Sequence, residues 1–315
     1  MTAARIPRPG AAASGRDHYA DGRIAVDPAG SSVYYKKYGD GGRSIVALHG
    51  GPGMGHEYLE PLGDLADTLG TVVLYDQLGA GRSDAPSDPS AWTVDHFVAE
   101  LETVRQHLDL GVLDLFGHSW GGWLALSYTL QYPANVRSLV LSNTSASTAE
   151  YLMRVQELRV GLGKDLHKTL LRAEAARDFT DPAYQRAILE LSARHLRRAW
   201  PFELQTSVDE VDELLSSGTL AFGPAYEHMW GPNEFVCTGP LLDWDVTEEL
   251  HRITVPTLII CGYYDEFTMG SSRTLADGIS DSEFVVLGNS SHMNMMEKEA
   301  ALYMAVIQNF LARNP

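Results

Sequence analysis

VLDLFGHSWGGWLALSYTLQYP, residues 112–133, is the stretch that decides how the chain folds. It begins with an apolar run of strand length, and residues 120–132 follow with a helical pattern that ends before Pro133. Between the two, Gly117-His118-Ser119-Trp120-Gly121 matches the pattern Gly-x-Ser-x-Gly. Glycines at a sharp strand-to-helix turn give the clearance that holds a serine in a strained, exposed backbone position. The stretch therefore predicts a strand–turn–helix unit with Ser119 at its turn.

Strands and helices alternate on both sides of this unit. Helical patterns with one apolar face cover residues 93–108 and 297–311. The apolar runs of strand length are continuous, as expected for strands buried on both faces of a parallel sheet. These runs lie at 44–48, 71–75, 112–116, 138–142, 257–261 and 284–288. The pattern predicts the α/β class, with a mostly parallel sheet flanked by helices.

The alternation stops between residues 145 and 243. This stretch is helix-like and rich in Arg, Glu, Leu and Ala. We therefore expect a helical cap over 145–243, inserted into a core domain made of residues 23–144 and 244–315. Residues 1–22 contain many Ala, Pro, Gly and Arg residues and are predicted to form a flexible N-terminal arm.

The composition disfavours several kinds of partner. The 41 acidic and 24 basic residues give a net charge of -17, which argues against binding nucleic acid. We expect neither a membrane span nor a secretory signal, because apolar runs of the required length do not occur. The two cysteines form neither a disulfide framework nor a metal-binding pattern, so no metal and no cofactor are expected. A cytoplasmic location is the prediction, and the oligomeric state stays open.

A serine becomes a nucleophile only when a base removes its proton. With a nucleophile turn of this kind, the serine, the acid and the histidine follow one another in that order along the chain. His292, in the loop after the last predicted strand, is the expected base. Asp265, after the preceding strand, is the expected orienting acid, with Glu266 as its near competitor. His118 adjoins Ser119, and we expect it to pack because neighbours at a tight turn point apart.

The negative charge that develops on a carbonyl oxygen under attack needs hydrogen-bond donors. The backbone amide of Trp120, which follows the serine, is one expected donor. The loop His49-Gly50-Gly51-Pro52-Gly53 follows the strand at 44–48, and its glycines let the backbone approach a ligand closely. Gly51 is the expected second donor.

Together these motifs resemble the proline iminopeptidase family of α/β-hydrolases. HGGPG at 49–53, DQLGAGRSD at 76–84 and GHSWGG at 117–122 occur in the order and spacing of the family. The likeness extends over nearly the whole chain from about residue 25 and implies the α/β-hydrolase fold. GPNEF at 231–235 and Tyr264-Asp265-Glu266 are similar to motifs of the branch with tricorn-interacting aminopeptidases and amino-acid amidases.

The resemblance also implies a substrate. Members of the family cleave after a residue whose amino group is free, and carboxylates beside the active site bind that amino group. Matched by motif, these carboxylates are Glu234 and Glu266, with Glu227 as a weaker third candidate. The expected partner is therefore a small molecule or short peptide with a free amino terminus, and the expected enzyme is a serine aminopeptidase or amino-acid amidase.

The residues alone leave other functions open. A general carboxylesterase or an acyl transferase would use Ser119, His292 and Asp265 without any need for an amine-binding carboxylate. A catalytically silent ligand-binding protein on the same fold is an alternative from another class. The sequence specifies neither the preferred N-terminal side chain nor the choice between amidase and peptidase.

Overall fold

The computed structural model describes residues 19–28, 30–86, 88–198 and 223–314. Most of the arm expected over residues 1–22 lies outside the described residues. The first described strand begins at Tyr19, which is within the range expected for the arm. Residues 19–22 belong to the sheet because they pair with the next strand, starting with Tyr19 opposite Tyr38.

One sheet of eight strands forms the centre of the described structure. The spatial order of the strands is β1-β2-β4-β3-β5-β6-β7-β8. β1 and β2 run antiparallel to their neighbours, and all pairs from β4 to β8 are parallel. The strands are Tyr19–Ala25 (β1), Ser32–Tyr38 (β2), Arg43–Leu48 (β3), Gly70–Tyr75 (β4), Leu113–His118 (β5), Val136–Ser142 (β6), Thr257–Gly262 (β7) and Ser282–Leu287 (β8). The predicted α/β-hydrolase fold is thereby confirmed.

Helices cover both faces of the sheet, which is why the central strands read as continuous apolar runs. Along β3, Ile45 and Ala47 pack into the apolar cluster on one face, whereas Val46 and Leu48 pack into the cluster on the other. The α-helices are Ala66–Leu69 (α1), Val94–His107 (α2), Trp120–Gln131 (α3), Thr148–Gly161 (α4), Lys164–Ala176 (α5), Pro182–Leu191 (α6), Pro224–Met229 (α7), Thr268–Gly278 (α8) and Ala300–Arg313 (α9).

Between β6 and β7 the described residues form helices and turns. The two ends of this stretch meet, because Ser147 and Asp245 form an isolated β-bridge and the Thr148 hydroxyl donates to the Leu241 carbonyl at 2.7 Å. Residues 199–222 of the expected cap lie outside the described residues. The division into core and cap at 145 and 243 stays a prediction.

The sheet fixes where chemistry can occur. β3, β5, β6, β7 and β8 are parallel neighbours, so the loops that follow them gather at one edge of the sheet. Every site residue expected on the core follows one of these strands. In the described parts of the chain, none of the helices has the length and apolar character needed to cross a membrane.

Candidate active site

Ser119 lies at the turn between β5 and α3, as the sequence predicts. Its backbone has φ 56° and ψ -126°, a conformation that L-residues rarely adopt. A Cβ atom at Gly117 would lie 2.3 Å from the Gly121 carbonyl oxygen, and a Cβ at Gly121 would lie 2.1 Å from the Leu48 carbonyl oxygen. Both glycines of the motif are therefore sterically required. The Ser119 amide donates to the Ser142 carbonyl at 3.0 Å, which anchors the turn to β6.

Asp265 and His292 meet beside this turn. The Asp265 Oδ1 lies 2.9 Å from the His292 Nδ1, and both side chains are buried. The Phe267 amide donates to the same Asp265 oxygen at 3.2 Å. A carboxylate at Nδ1 keeps the proton on that nitrogen, which leaves Nε2 as the acceptor.

Sequence analysis did not identify Asn143, which holds the second oxygen of Asp265. Its side-chain amide donates to Asp265 Oδ2 at 2.9 Å and to the Ser291 carbonyl at 3.0 Å. The residue directly follows β6 and has φ 52°, a conformation that asparagine tolerates better than most residues. An asparagine directly after a buried strand at the functional edge is the only sequence signal that points to it.

The ring of His292 is packed on both sides. Phe267 stacks on it at a centroid distance of 5.4 Å and an interplanar angle of 20°, and the His118 ring lies 4.6 Å away. Among the described residues, Ser119 Oγ makes no hydrogen bond to His292. The serine and the base are thus brought together without the bond between them, which in many enzymes tightens only when substrate binds.

His118 does more than pack, contrary to the expectation from sequence. Its Nδ1 lies 3.0 Å from the Tyr58 hydroxyl, and its Nε2 lies 3.0 Å from the His292 carbonyl oxygen. The Tyr58 oxygen in turn accepts the Gly50 amide at 2.6 Å. Because burial lowers the pKa of His118 well below its usual value, the ring is neutral and both nitrogens find partners. This chain of bonds connects the glycine loop to the loop of the base.

The two expected oxyanion donors face a common space. Gly51 and Trp120 both line the cavity that contains Ser119. No described residue accepts a hydrogen bond from the backbone amide of either one, whereas the Gly50 amide is already bound to Tyr58. Gln77, which sequence analysis did not single out, connects the two elements. It accepts the Trp120 indole N–H at 2.7 Å and donates to the His49 carbonyl at 3.0 Å.

The cavity above Ser119 is small and mostly aromatic. Trp123 lies against Trp230 and Phe267, with ring centroids 5.8 and 6.3 Å apart. The lining residues are Gly51, Ser119, Trp120, Trp123, Tyr151, Trp230, Glu234, Leu241 and Phe267. Such a lining is complementary to an apolar side chain, with the Glu234 carboxyl group on its wall.

Glu234 lies in the stretch between β6 and β7, whereas Glu266 follows β7. Glu234 accepts a hydrogen bond from the Tyr226 hydroxyl at 2.8 Å. Glu266 is fully buried, and its Oε1 lies 3.6 Å from the His292 Nε2. Burial raises the pKa of both carboxyl groups, and the negative charge of Glu234 raises the pKa of Glu266 further. Two acids in this arrangement are strongly stabilised by any cation that binds near them.

Buried groups of the stretch between β6 and β7 hold the turn that carries Glu234. The Tyr151 hydroxyl and the Trp230 indole both donate to the Glu234 carbonyl oxygen, at 3.0 and 3.1 Å. Arg159 donates to the Phe235 carbonyl at 2.8 Å and pairs with Glu174 at 2.9 Å. Glu227, the weaker candidate, is exposed and does not line the Ser119 cavity.

One cluster has the composition of a metal site. Donor atoms of His56, Glu57 and Asp76 lie within 4.8 Å of one another. Asp76, however, already accepts the amides of His56 and Arg82, both at 2.8 Å, and its Oδ1 lies 2.7 Å from the His56 ring. The cluster therefore fixes the loop after β4.

Fold and site together define a class of protein, the α/β-hydrolases. A family model described as alpha/beta hydrolase fold matches residues 43–299. A proline iminopeptidase of Saccharolobus solfataricus is 40% identical over 286 residues, covering 90% of this chain and 89% of that protein. The crystal structure of a proline iminopeptidase from Mycobacterium smegmatis superposes with a TM-score of 0.80 at 31% identity, covering 94% and 98% of the two chains. The crystal structure of VinJ gives a TM-score of 0.82 at 34% identity, covering 94% and 99%.

The chain belongs to the proline iminopeptidase family. It is an enzyme, a serine hydrolase of the aminopeptidase kind, as the resemblance in its motifs predicts. The roles assigned to the individual site residues stay predictions, and the geometry described above supplies their physical basis.

Proposed function

We propose that this protein cleaves the bond after an N-terminal residue with a free amino group, in short peptides or amino-acid amides. Ser119 is the nucleophile, His292 the general base and Asp265 the acid that orients it. Glu234 and Glu266 bind the substrate's ammonium group. A cytoplasmic setting is part of the proposal and rests on the sequence alone.

The proposed reaction proceeds in two halves. The Ser119 oxygen attacks the carbonyl carbon while its proton passes to His292 Nε2, and the amides of Gly51 and Trp120 stabilise the oxyanion. When the carbon–nitrogen bond breaks, His292 returns the proton to the leaving amine. Water then attacks the acyl-enzyme, gives a proton to His292, and releases the amino acid as Ser119 regains its proton.

The observation that carries the proposal is the position of the carboxyl groups relative to the nucleophile. Glu234 lines the same cavity as Ser119, and Glu266 lies 3.6 Å from the ring of the proposed base. Buried carboxyl groups are costly unless a positive group completes them. An esterase without a free-amine requirement has no use for this pair.

The aromatic lining supports an apolar first residue. Trp123, Trp230 and Phe267 offer flat apolar surface around the cavity. Relatives of this chain are named proline iminopeptidases, so proline is the first side chain to test. The small cavity volume favours a single residue over an extended peptide on this side of the bond.

The experiment compares kcat/KM for prolyl, alanyl and phenylalanyl anilides with their N-acetylated counterparts. Because each charge-assisted hydrogen bond contributes about 1.5–3 kcal/mol, acetylation is expected to lower kcat/KM by about 10²-fold or more. Glu234→Gln should reproduce much of this loss on the free substrates. Glu227→Gln is the matched control, because Glu227 is an exposed acid of the same cap.

Ser119→Ala defines the background rate. Equal rates on free and acetylated substrates would overturn amine recognition and leave a capped esterase. If Glu234→Gln loses activity equally on free and acetylated substrates, Glu234 has a structural role instead.

A further inference from the structure

The nitrogen of His292 that must accept the serine proton faces a second group. Nδ1 is bound to Asp265 at 2.9 Å, so Nε2 is the free nitrogen of the ring. Glu266 Oε1 lies 3.6 Å from this Nε2. Among the described residues, Glu266 interacts with the Glu234 carboxyl group and receives no hydrogen bond from a backbone amide, and Ser119 Oγ makes no bond to the ring. Without substrate, Nε2 therefore has the Glu266 carboxyl group within ion-pair distance and no hydrogen bond from the nucleophile.

A buried carboxyl group and an imidazole attract each other when the pair holds one proton, whichever of the two groups carries it. An ionised Glu266 pairs with the imidazolium ring, whereas a protonated Glu266 donates its O–H to the bare Nε2. In both cases the lone pair that Ser119 needs is occupied. Among the described residues, the other titratable groups that act on this pair include Asp265 on Nδ1, neutral His118 against the ring, and Glu234 and Tyr151 beside Glu266. No cationic side chain among them competes for Glu266.

We propose that Glu266 occupies the Nε2 of His292 in the unliganded enzyme and that the substrate's ammonium group releases the base by taking Glu266 as its own partner. This inference rests on the proposed function, because it uses Glu266 as part of the amine-binding site. No covalent bond changes in this step. The ammonium N–H groups donate to Glu266, and the proton that Glu266 and Nε2 shared leaves for solvent. The positive charge of the ammonium group thus replaces the positive charge of that proton.

The consequence is that the free amino group acts on the chemical step as well as on binding. A substrate without an ammonium group would meet a base whose lone pair is still engaged, so its kcat would fall together with its affinity. Binding and activation are then coupled through one carboxyl group, and the enzyme is poorly reactive toward esters or amides that merely fit the cavity.

The test uses a fluorophosphonate probe that has no amino group and reacts with Ser119. Its labelling rate is measured while dimethylammonium chloride is titrated at constant ionic strength. Dimethylammonium is small enough to reach the carboxyl groups and leave the carbonyl position free. We expect a saturable rise of about tenfold or more. Tetramethylammonium, which has the charge but no N–H donor, is the matched control and should have little effect.

Glu266→Met keeps the length of the side chain and removes its hydrogen-bonding groups. This variant should be labelled without amine at the rate of the amine-saturated wild type, and it should not respond to dimethylammonium. Glu227→Gln should respond as the wild type does. If the Met variant does not fold, the titration of the wild type alone decides the matter.

The outcomes separate this inference from the proposed function. A wild-type labelling rate that is unchanged or lowered by dimethylammonium overturns the coupling and leaves the serine mechanism intact. Labelling of the wild type that is no faster than that of Ser119→Ala overturns the serine mechanism itself, and the coupling with it.

Discussion

The loop after β7 and the turn at 231–235 of the cap both place a buried or half-buried carboxyl group near Ser119, but they supply it with very different numbers of donors. Asp265 is held by the His292 ring, the Asn143 amide and the Phe267 backbone N–H. Glu234 receives a hydrogen bond from the Tyr226 hydroxyl, and its other partner is the carboxyl group of Glu266. Glu266, the immediate neighbour of Asp265, receives no hydrogen bond from the described residues apart from this contact with Glu234.

This difference separates two uses of a buried acid. A carboxylate whose oxygens are fully bound has a fixed position and a stabilised charge, which suits the orientation of a catalytic base. A carboxyl group with missing donors is costly in the free protein, and a ligand that brings those donors recovers the cost on binding. The comparison predicts that substitutions in the two regions affect different kinetic constants.

The largest expected effect is that of Asp265→Asn. The asparagine amide would donate to His292 Nδ1 and favour the tautomer with its proton on Nε2, which cannot accept a proton from Ser119. We expect kcat on a free-amine anilide to fall by about 10³–10⁴-fold with KM little changed. The exposed Asp243, substituted in the same way, is the control. A fall of less than about tenfold would overturn the orienting role of Asp265.

A smaller effect on a different constant is expected for Tyr226→Phe. The substitution removes the hydroxyl that donates to Glu234 at 2.8 Å and leaves the ring in place. Since this donor favours the ionised carboxylate, its loss should lower kcat/KM for free-amine substrates by about tenfold. Acetylated substrates should be unaffected. Tyr263→Phe, on an exposed ring, is the control. An equal fall on both kinds of substrate would show that Tyr226 supports the shape of the cap instead.

The same contrast explains what sequence analysis predicted and what it did not. Ser119, Asp265 and His292 each follow a strand with a clear apolar run, and in a parallel sheet this suffices to bring them to one edge. The Gly-x-Ser-x-Gly turn adds a local steric requirement that the structure shows directly at Gly117 and Gly121. Such features depend on short segments, which is why the fold and the positions of these candidate residues could be predicted from the sequence.

The residues that were not identified act across large separations in sequence. Asn143 reaches Asp265 over 122 positions, and Tyr58 reaches His118 over 60. Contacts between residues so far apart in the sequence produce no periodic or local sequence pattern. Glu234 lies on a cap turn whose placement depends on Arg159 and Tyr151, and only the resemblance to a family pointed to it. The expected packing role of His118 was incomplete for the same reason.

The smallest effect on activity is expected for a substitution of Glu100. This residue also shows where the number of donors no longer indicates a ligand-binding acid. This side chain is buried on α2. One of its oxygens accepts the Leu78 amide at 3.1 Å, and the Tyr75 hydroxyl is the other described group that acts on the carboxyl group. By its number of donors it resembles a substrate-binding acid, yet it does not line the Ser119 cavity. A missing donor therefore marks a ligand site only where the carboxyl group also borders the space that holds the ligand.

Glu100 should instead affect stability. Burial raises its pKa from 4.5 to about 8, so the folded protein keeps a proton that the unfolded chain loses above pH 4.5. The folded state then binds more protons than the unfolded state between pH 4.5 and 8, and the free energy of unfolding falls as pH rises across this window.

Glu100→Gln cannot ionise and should lack this loss of stability, so its Tm relative to wild type should increase by several °C from pH 5 to pH 8. Its kcat/KM on free-amine anilides at pH 7 should match that of the wild type, and Glu248→Gln, on an exposed acid, should show neither change. A Tm difference that is independent of pH would mean that Glu100 is already ionised in the folded protein, with its charge compensated by neighbours. In that case the number of hydrogen-bond donors to a buried carboxyl group would not distinguish ligand-binding acids from structural ones.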